Sequence, residues 1–101
     1  MPSLGYNTIT TGEVSGSTSA KQLPDIDATL LNIRAASTNA GNVYLGGSGV
    51  TVLDGTTDTT TGLELDAGQE TGWISVPNLS LFYIICNNAG DDIVYMALTT
   101  A

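Results

Sequence analysis

The chain has 101 residues, room for one domain, and sets ten acidic side chains against only Lys21 and Arg34, a formal net charge of −8. Two cations can neither neutralise the phosphates of a nucleic acid nor hold a chain to an anionic membrane surface, so neither partner is expected. With no histidine and a single cysteine, Cys86, the sequence has no Ser-His-Asp or Cys-His catalysis, no His/Cys zinc or iron centre and no internal disulfide.

In chain order, Met1 to Thr10 lacks the charged start and apolar run of a signal peptide, and no segment nears the ~20 apolar residues of a membrane span. A soluble chain made in a cytosol is expected. No window repeats apolar residues at i, i+3, i+4 and i+7 over three turns, whereas strand signals recur at short spacing. Residues 1–10 read as an N-terminal arm or edge strand, and 11–101 as a single β-sandwich domain.

NTITTGEVS, around Tyr6 to Val14, alternates weakly. Ser17 to Leu23 is a short edge candidate stopped by Pro24. ATLLNIRAAS is clearer: Leu31, Ile33 and Ala35 point one way, Asn32 and Arg34 the other. NVYLGG puts Val43 and Leu45 on one face and Tyr44 on the other. Gly49 to Leu53 continues it or starts a new strand.

DGTTDTTT, Asp54 to Thr61, is a polar loop. Beyond it, Leu63 and Leu65 alternate against Glu64, and ETGWISV forms a further strand ending at Pro77. Leu79 to Cys86 is a nearly continuous apolar run, predicting a central strand covered on both sides. A turn at NNAGDD leads into IVYMALTTA. These are about eight short strands with no dividing linker, which predicts an all-β fold: a two-layer antiparallel sandwich, jelly-roll-like.

The last strand is apolar on both faces, Val94, Met96 and Leu98 against Ile93, Tyr95 and Ala97. One sheet of a sandwich buries one face against its partner. The other is covered by loops or by a subunit interface, and Tyr95, Met96 and Leu98 are the expected interface residues. Leu4, Tyr6 and Ile9 in the N-terminal segment are the expected contacts to a larger partner.

YLGGSGV invites comparison with a phosphate cradle. A cradle needs its glycines to open a helix, but Val50 to Leu53 is β-like and no lysine follows, so a tight strand reversal with one glycine at positive φ is expected. Asp54 and Asp58, or Asn87, Asn88, Asp91 and Asp92, could be imagined as calcium ligands. Neither set has EF-hand spacing, and both are ordinary turn residues. No cofactor and no catalytic residue is expected. Cys86 reads as a small buried hydrophobe. Lys21 and Arg34 are each expected to pair with a surface carboxylate. Trp73 and Tyr44 could serve as a sugar-stacking platform, although a core or interface role for Trp73 is the simpler reading.

The order of these pieces resembles the small all-β proteins encoded near capsid genes in tailed bacteriophages. The likeness runs from about Thr11 to Leu98 through GEV, LPDI, LLNIRAAST, GLELDAGQ and IVYMAL. Its most recognisable piece is N-x-G-N-V-Y-[IL]-G-x-S-G-V-T, carried by Asn39 to Thr51. The resemblance implies a capsid decoration (cement) protein, a homotrimer seated between capsomers on the outer surface of the virion. It would bind the major capsid protein and stabilise the head shell. Two rivals stand beside it. One is a receptor- or carbohydrate-binding module of a virion fibre, using Trp73 or Tyr44. The other is a hydrolase using Asp54 and Asp58.

Overall fold

The computed structural model describes residues 5–100. Period-two alternation of apolar and polar residues sets its two layers. Leu31, Ile33 and Ala35 are buried while Arg34 between them is exposed, so β3 (Leu30–Ala35) has a core face and an outer face. β3 and β1 (Thr8–Ser15) flank β7 (Asp92–Thr99) in a first sheet of order β1-β7-β3. The second sheet, β2-β6-β4-β5, holds β2 (Lys21–Gln22), β6 (Tyr83–Cys86), β4 (Val43–Gly46) and β5 (Leu63–Leu65). Leu31, Ile33 and Ile93 of the first sheet share one core with Val43, Leu65, Ile84 and Cys86 of the second. Each full-sized apolar side chain so buried stabilises by about 1.5–3 kcal/mol.

Strand pairing is nested. The first strand pairs with the last along its whole length, from Thr8 opposite Thr99 to Ser15 opposite Asp92. β2 pairs with β6 and β4 with β5, all antiparallel. Residues 70–74 flank β3 through two antiparallel bridges, Leu31 to Ile74 and Arg34 to Glu70. With that segment as an eighth, irregular strand the sheets read β1-β7-β3-(70–74) and β2-β6-β4-β5, the wrap of a jelly roll. The predicted sandwich is thus the observed one. Segment 70–74 is irregular because it carries one more residue than β3 between the two bridges. That bulge is centred on Gly72, whose φ of +77° only glycine adopts without strain.

Several elements differ from expectation. Leu79 to Cys86 is not one strand covered on both sides. Leu79–Leu81 is a 3-10 turn capped by the Asn78 side chain, which accepts from the Ser80 N–H at 2.8 Å. Only Tyr83–Cys86 is strand, and its burial alternates. Gly49 to Leu53 forms no strand beyond an isolated bridge between Thr51 and Thr61. Leu65 is buried but Leu63 is exposed, on the edge strand β5. The division at residue 10 falls inside β1, so residues 8–10 belong to a continuous edge strand of the domain.

The glycine stretch is a turn. Val50 N–H donates to the Gly47 carbonyl at 3.1 Å, and Gly49, third in the turn, has φ +84°. The reversal tucks Val50 against the alpha carbons of Gly46 and Gly62, where a Cβ would lie 2.8 and 2.7 Å from a Val50 methyl. No helix follows, and the phosphate reading ends there.

Candidate functional site

Cross-strand registers place three rows on the outer face of the first sheet. They are Ile9–Leu98–Leu30, Thr11–Met96–Asn32 and Glu13–Val94–Arg34. Among the described residues no loop closes over this face: Ile9 is 67% exposed and Met96 38%. The residues are aliphatic at one end and increasingly polar toward the other. Beside the polar end, Trp73 from the bulged segment stands 48% exposed. It borders a groove of about 300 Å³, lined with Thr11, Asn32, Arg34, Glu70 and Met96.

The groove's polar groups are only partly engaged. Asn32 Nδ2 donates to Glu70 Oε1 at 3.1 Å, while Asn32 Oδ1 is buried with no hydrogen-bond partner among the described residues. A buried acceptor without a donor costs on the order of 1–3 kcal/mol. The Arg34 side chain, expected to pair with a carboxylate, has neither an ion pair nor a hydrogen bond among the described residues, although Glu70 is its bridge partner. Lys21 likewise finds no carboxylate among the described residues: its Nζ donates to the Ser15 carbonyl at 2.8 Å.

Of the expected interface residues, Met96 and Leu98 lie on this outer face. Tyr95 lies on the opposite face, between the buried Ile93 and Ala97, and packs against the core. Its ring crosses Gly12, its cross-strand partner, where a Cβ would meet the phenol oxygen at 2.5 Å. Of the expected partner contacts, Leu4 lies outside the described residues, Tyr6 is exposed, and Ile9 belongs to the aliphatic row just described. The structure therefore brings Ile9, Met96 and Leu98 together and separates Tyr95 from them. Asn32 and Glu70 were not singled out from the sequence. Alternation puts Asn32 opposite the core, but only the pairing of β3 with segment 70–74 joins it to Glu70 and Trp73.

The other candidates have structural work. Asp91 is buried, and its carboxylate accepts the Ala40 N–H at 3.0 Å and the Gly41 N–H at 2.9 Å. Asn39 exchanges two 2.8 Å bonds with the backbone of Asp92. NAGN and NNAGDD thus lock two turns together. Asp54 Oδ1 accepts from both the N–H and the hydroxyl of Thr56, and these bonds hold its carboxyl below the usual range. Among the described residues no three His, Cys, Asp or Glu side chains gather as metal ligands.

Tyr44 is only 2% exposed and cannot be a platform. Its hydroxyl donates to Glu64 Oε2 at 2.9 Å. Burial, then the Glu64 bond and charge, raise its pKa above the ordinary 10.0. Burial and the Asp91 charge likewise raise Cys86 above 9.0. For both groups the unfolded chain loses its proton at lower pH than the folded protein. Their stabilising contribution is therefore complete below pH ~9 and falls as pH rises through each folded value. Urea midpoints should accordingly decline from pH ~9 upward. Tyr44→Phe should flatten the part of that decline above pH ~10, and an alkaline limb identical to that of the parent would refute the assignment.

No protein-family model matches the chain, and no curated protein or solved structure matches it either.

Proposed function

We propose that the protein is a capsid decoration (cement) protein of a tailed bacteriophage, a homotrimer on the outer surface of the head shell with the major capsid protein as its partner. The observation that carries this reading is the outer face of β1-β7-β3, where the exposed Ile9 and Met96 and the half-buried Leu30 and Leu98 form an apolar field on a regular sheet. A contiguous exposed apolar patch marks an interaction surface. Met96 and Leu98 form the centre of the subunit contact, joined by Leu30, and Tyr95 supports them from the core side. Leu4, Tyr6 and Ile9 in the N-terminal segment are the shell contacts.

The chemistry agrees with a structural role. Asp54 and Asp58 both accept from Thr56 within their own loop, and the net charge of −8 gives the molecule no attraction to nucleic acid. Jelly rolls build viral capsid and lectin domains alike, so the fold supports the reading by analogy only. Binding across shell subunits stabilises the assembled state by mass action.

The test is native mass by light scattering, with and without Met96→Asp. The parent should run at about three times 10.4 kDa. The variant should fall toward the single-chain mass and lose binding to shells that lack the protein, since an unpaired charge in an apolar contact is strongly unfavourable. A parent that is monomeric both in solution and on the shell, or a trimer indifferent to Met96→Asp, overturns the interface.

A further inference from the structure

We propose that the groove beside Trp73 is a binding site for an uncharged saccharide, one pyranose ring or two. Its chemistry differs from that of the aliphatic row next to it. Trp73 keeps about half of its surface in water, though a tryptophan free to pack is normally the best-buried aromatic. A flat indole beside a small groove suits the C–H face of a sugar ring. Beside the apolar Val94 and Met96, the wall carries a mixed polar set: Thr11, Asn32, Glu70 and Arg34. Sugar hydroxyls both donate and accept, so they can satisfy an acceptor-only carboxylate and a donor-only guanidinium from adjacent positions on one ring.

One of these groups lacks what a hydroxyl supplies, and a second is held in place from beneath. The Arg34 guanidinium has no acceptor among the described residues, while Asn32, its Oδ1 turned into the protein, backs the groove through its amide. Glu70 already takes the Asn32 amide at 3.1 Å, which fixes the amide and leaves the other carboxylate oxygen, Oε2, for a ligand. Charge favours a neutral occupant. One guanidinium and one carboxylate balance within the groove, while the net charge of −8 opposes an anionic sugar. A volume of about 300 Å³ is at the small end of ligand sites and fits one or two rings. Glu70 and Trp73 both border the bulge at Gly72, so the bulge that breaks the β-ladder also shapes the site.

This inference does not rest on the decoration reading, and the two fail separately. Trp73 is the only tryptophan, so its emission reports on the groove directly. The experiment is an emission titration with the methyl glycosides of glucose, galactose, mannose, N-acetylglucosamine and N-acetylgalactosamine, at a protein concentration where native mass is constant. At least one should give a saturable change. Glu70→Ala should weaken it by roughly fivefold or more, the effect of one lost hydrogen bond, and Asn32→Ala should weaken it less, by releasing Glu70. Glu70→Ala removes only exposed polar contacts and should leave the fold intact, so it decides the matter if Asn32→Ala is unstable. No saturable change with any glycoside, or one that survives Glu70→Ala undiminished, overturns the proposal. So does a Trp73 emission that follows native mass on dilution, which would place the groove inside the subunit contact. Met96 also borders the groove, so Met96→Asp is read for native mass only, and the titration compares the parent with the Glu70 and Asn32 variants.

Discussion

Asp91→Ala should be among the most damaging single changes outside the apolar core, lowering the thermal midpoint by on the order of 10–25 °C. The carboxylate accepts the N–H groups of Ala40 and Gly41, and the backbone carbonyl of the same residue accepts the Gly16 N–H at 2.7 Å. Alanine keeps the carbonyl bond but leaves both N–H groups of the 40–41 turn without their acceptor. Two charge-assisted bonds and the desolvation of their donors amount to about 2–4 kcal/mol. In a domain of this size each kcal/mol moves the midpoint by about 4–8 °C. Asp92→Ala is the control. It removes the same charge one residue on, from a carboxylate that bonds no described residue, and should cost no more than about 0.5 kcal/mol. Equal losses in the two variants would mean that net charge, not the turn lock, sets the effect.

Leu79→Ala against Leu81→Ala is the second. Were the run from Leu79 to Cys86 one extended strand, these leucines would share a face and have similar effects. The 3-10 turn separates them: Leu79 is fully buried and Leu81 is 56% exposed. Leu79→Ala leaves a cavity in the core and should cost about 2–5 kcal/mol. Leu81→Ala should stay within about 0.5 kcal/mol. Urea unfolding of the two variants side by side settles it, and comparable midpoints would restore the continuous strand.

That contrast shows where the sequence can be read and where it cannot. β3 is legible because Leu31, Ile33 and Ala35 alternate with polar neighbours. The turn at Gly49 is legible because a β-like stretch follows it and a helix does not. Leu79–Leu81 is opaque because unbroken apolar residues carry no period. There Asn78, whose amide donates to Asp25 and Asp27 while its oxygen caps the turn, decides the conformation. Tyr95 could have been placed from parity with Ile93 and Ala97, since only one face of β7 can meet the core. Trp73 could not, because an extra residue around Gly72 shifts the phase of alternation just before it. The candidate groove draws on four separated stretches, at Thr11, Asn32–Arg34, Glu70–Trp73 and Met96, and strand order alone unites them.

The nested pairing of first strand with last has a consequence for how the molecule is made. β7 follows every other strand in the chain, yet it is the middle strand of the first sheet, and β1 has no other neighbour there. During synthesis β1 and β3 must wait, with a strand-wide vacancy between them, until β7 has been translated. Such non-local closure belongs to the slow class of folding reactions, in ms to s, and gives a nascent chain nothing complete to fold early. The vacancy also fits the β7 of a neighbouring nascent copy as well as its own, so crowded polysomes should yield strand-exchanged dimers before they yield any other misfolded product.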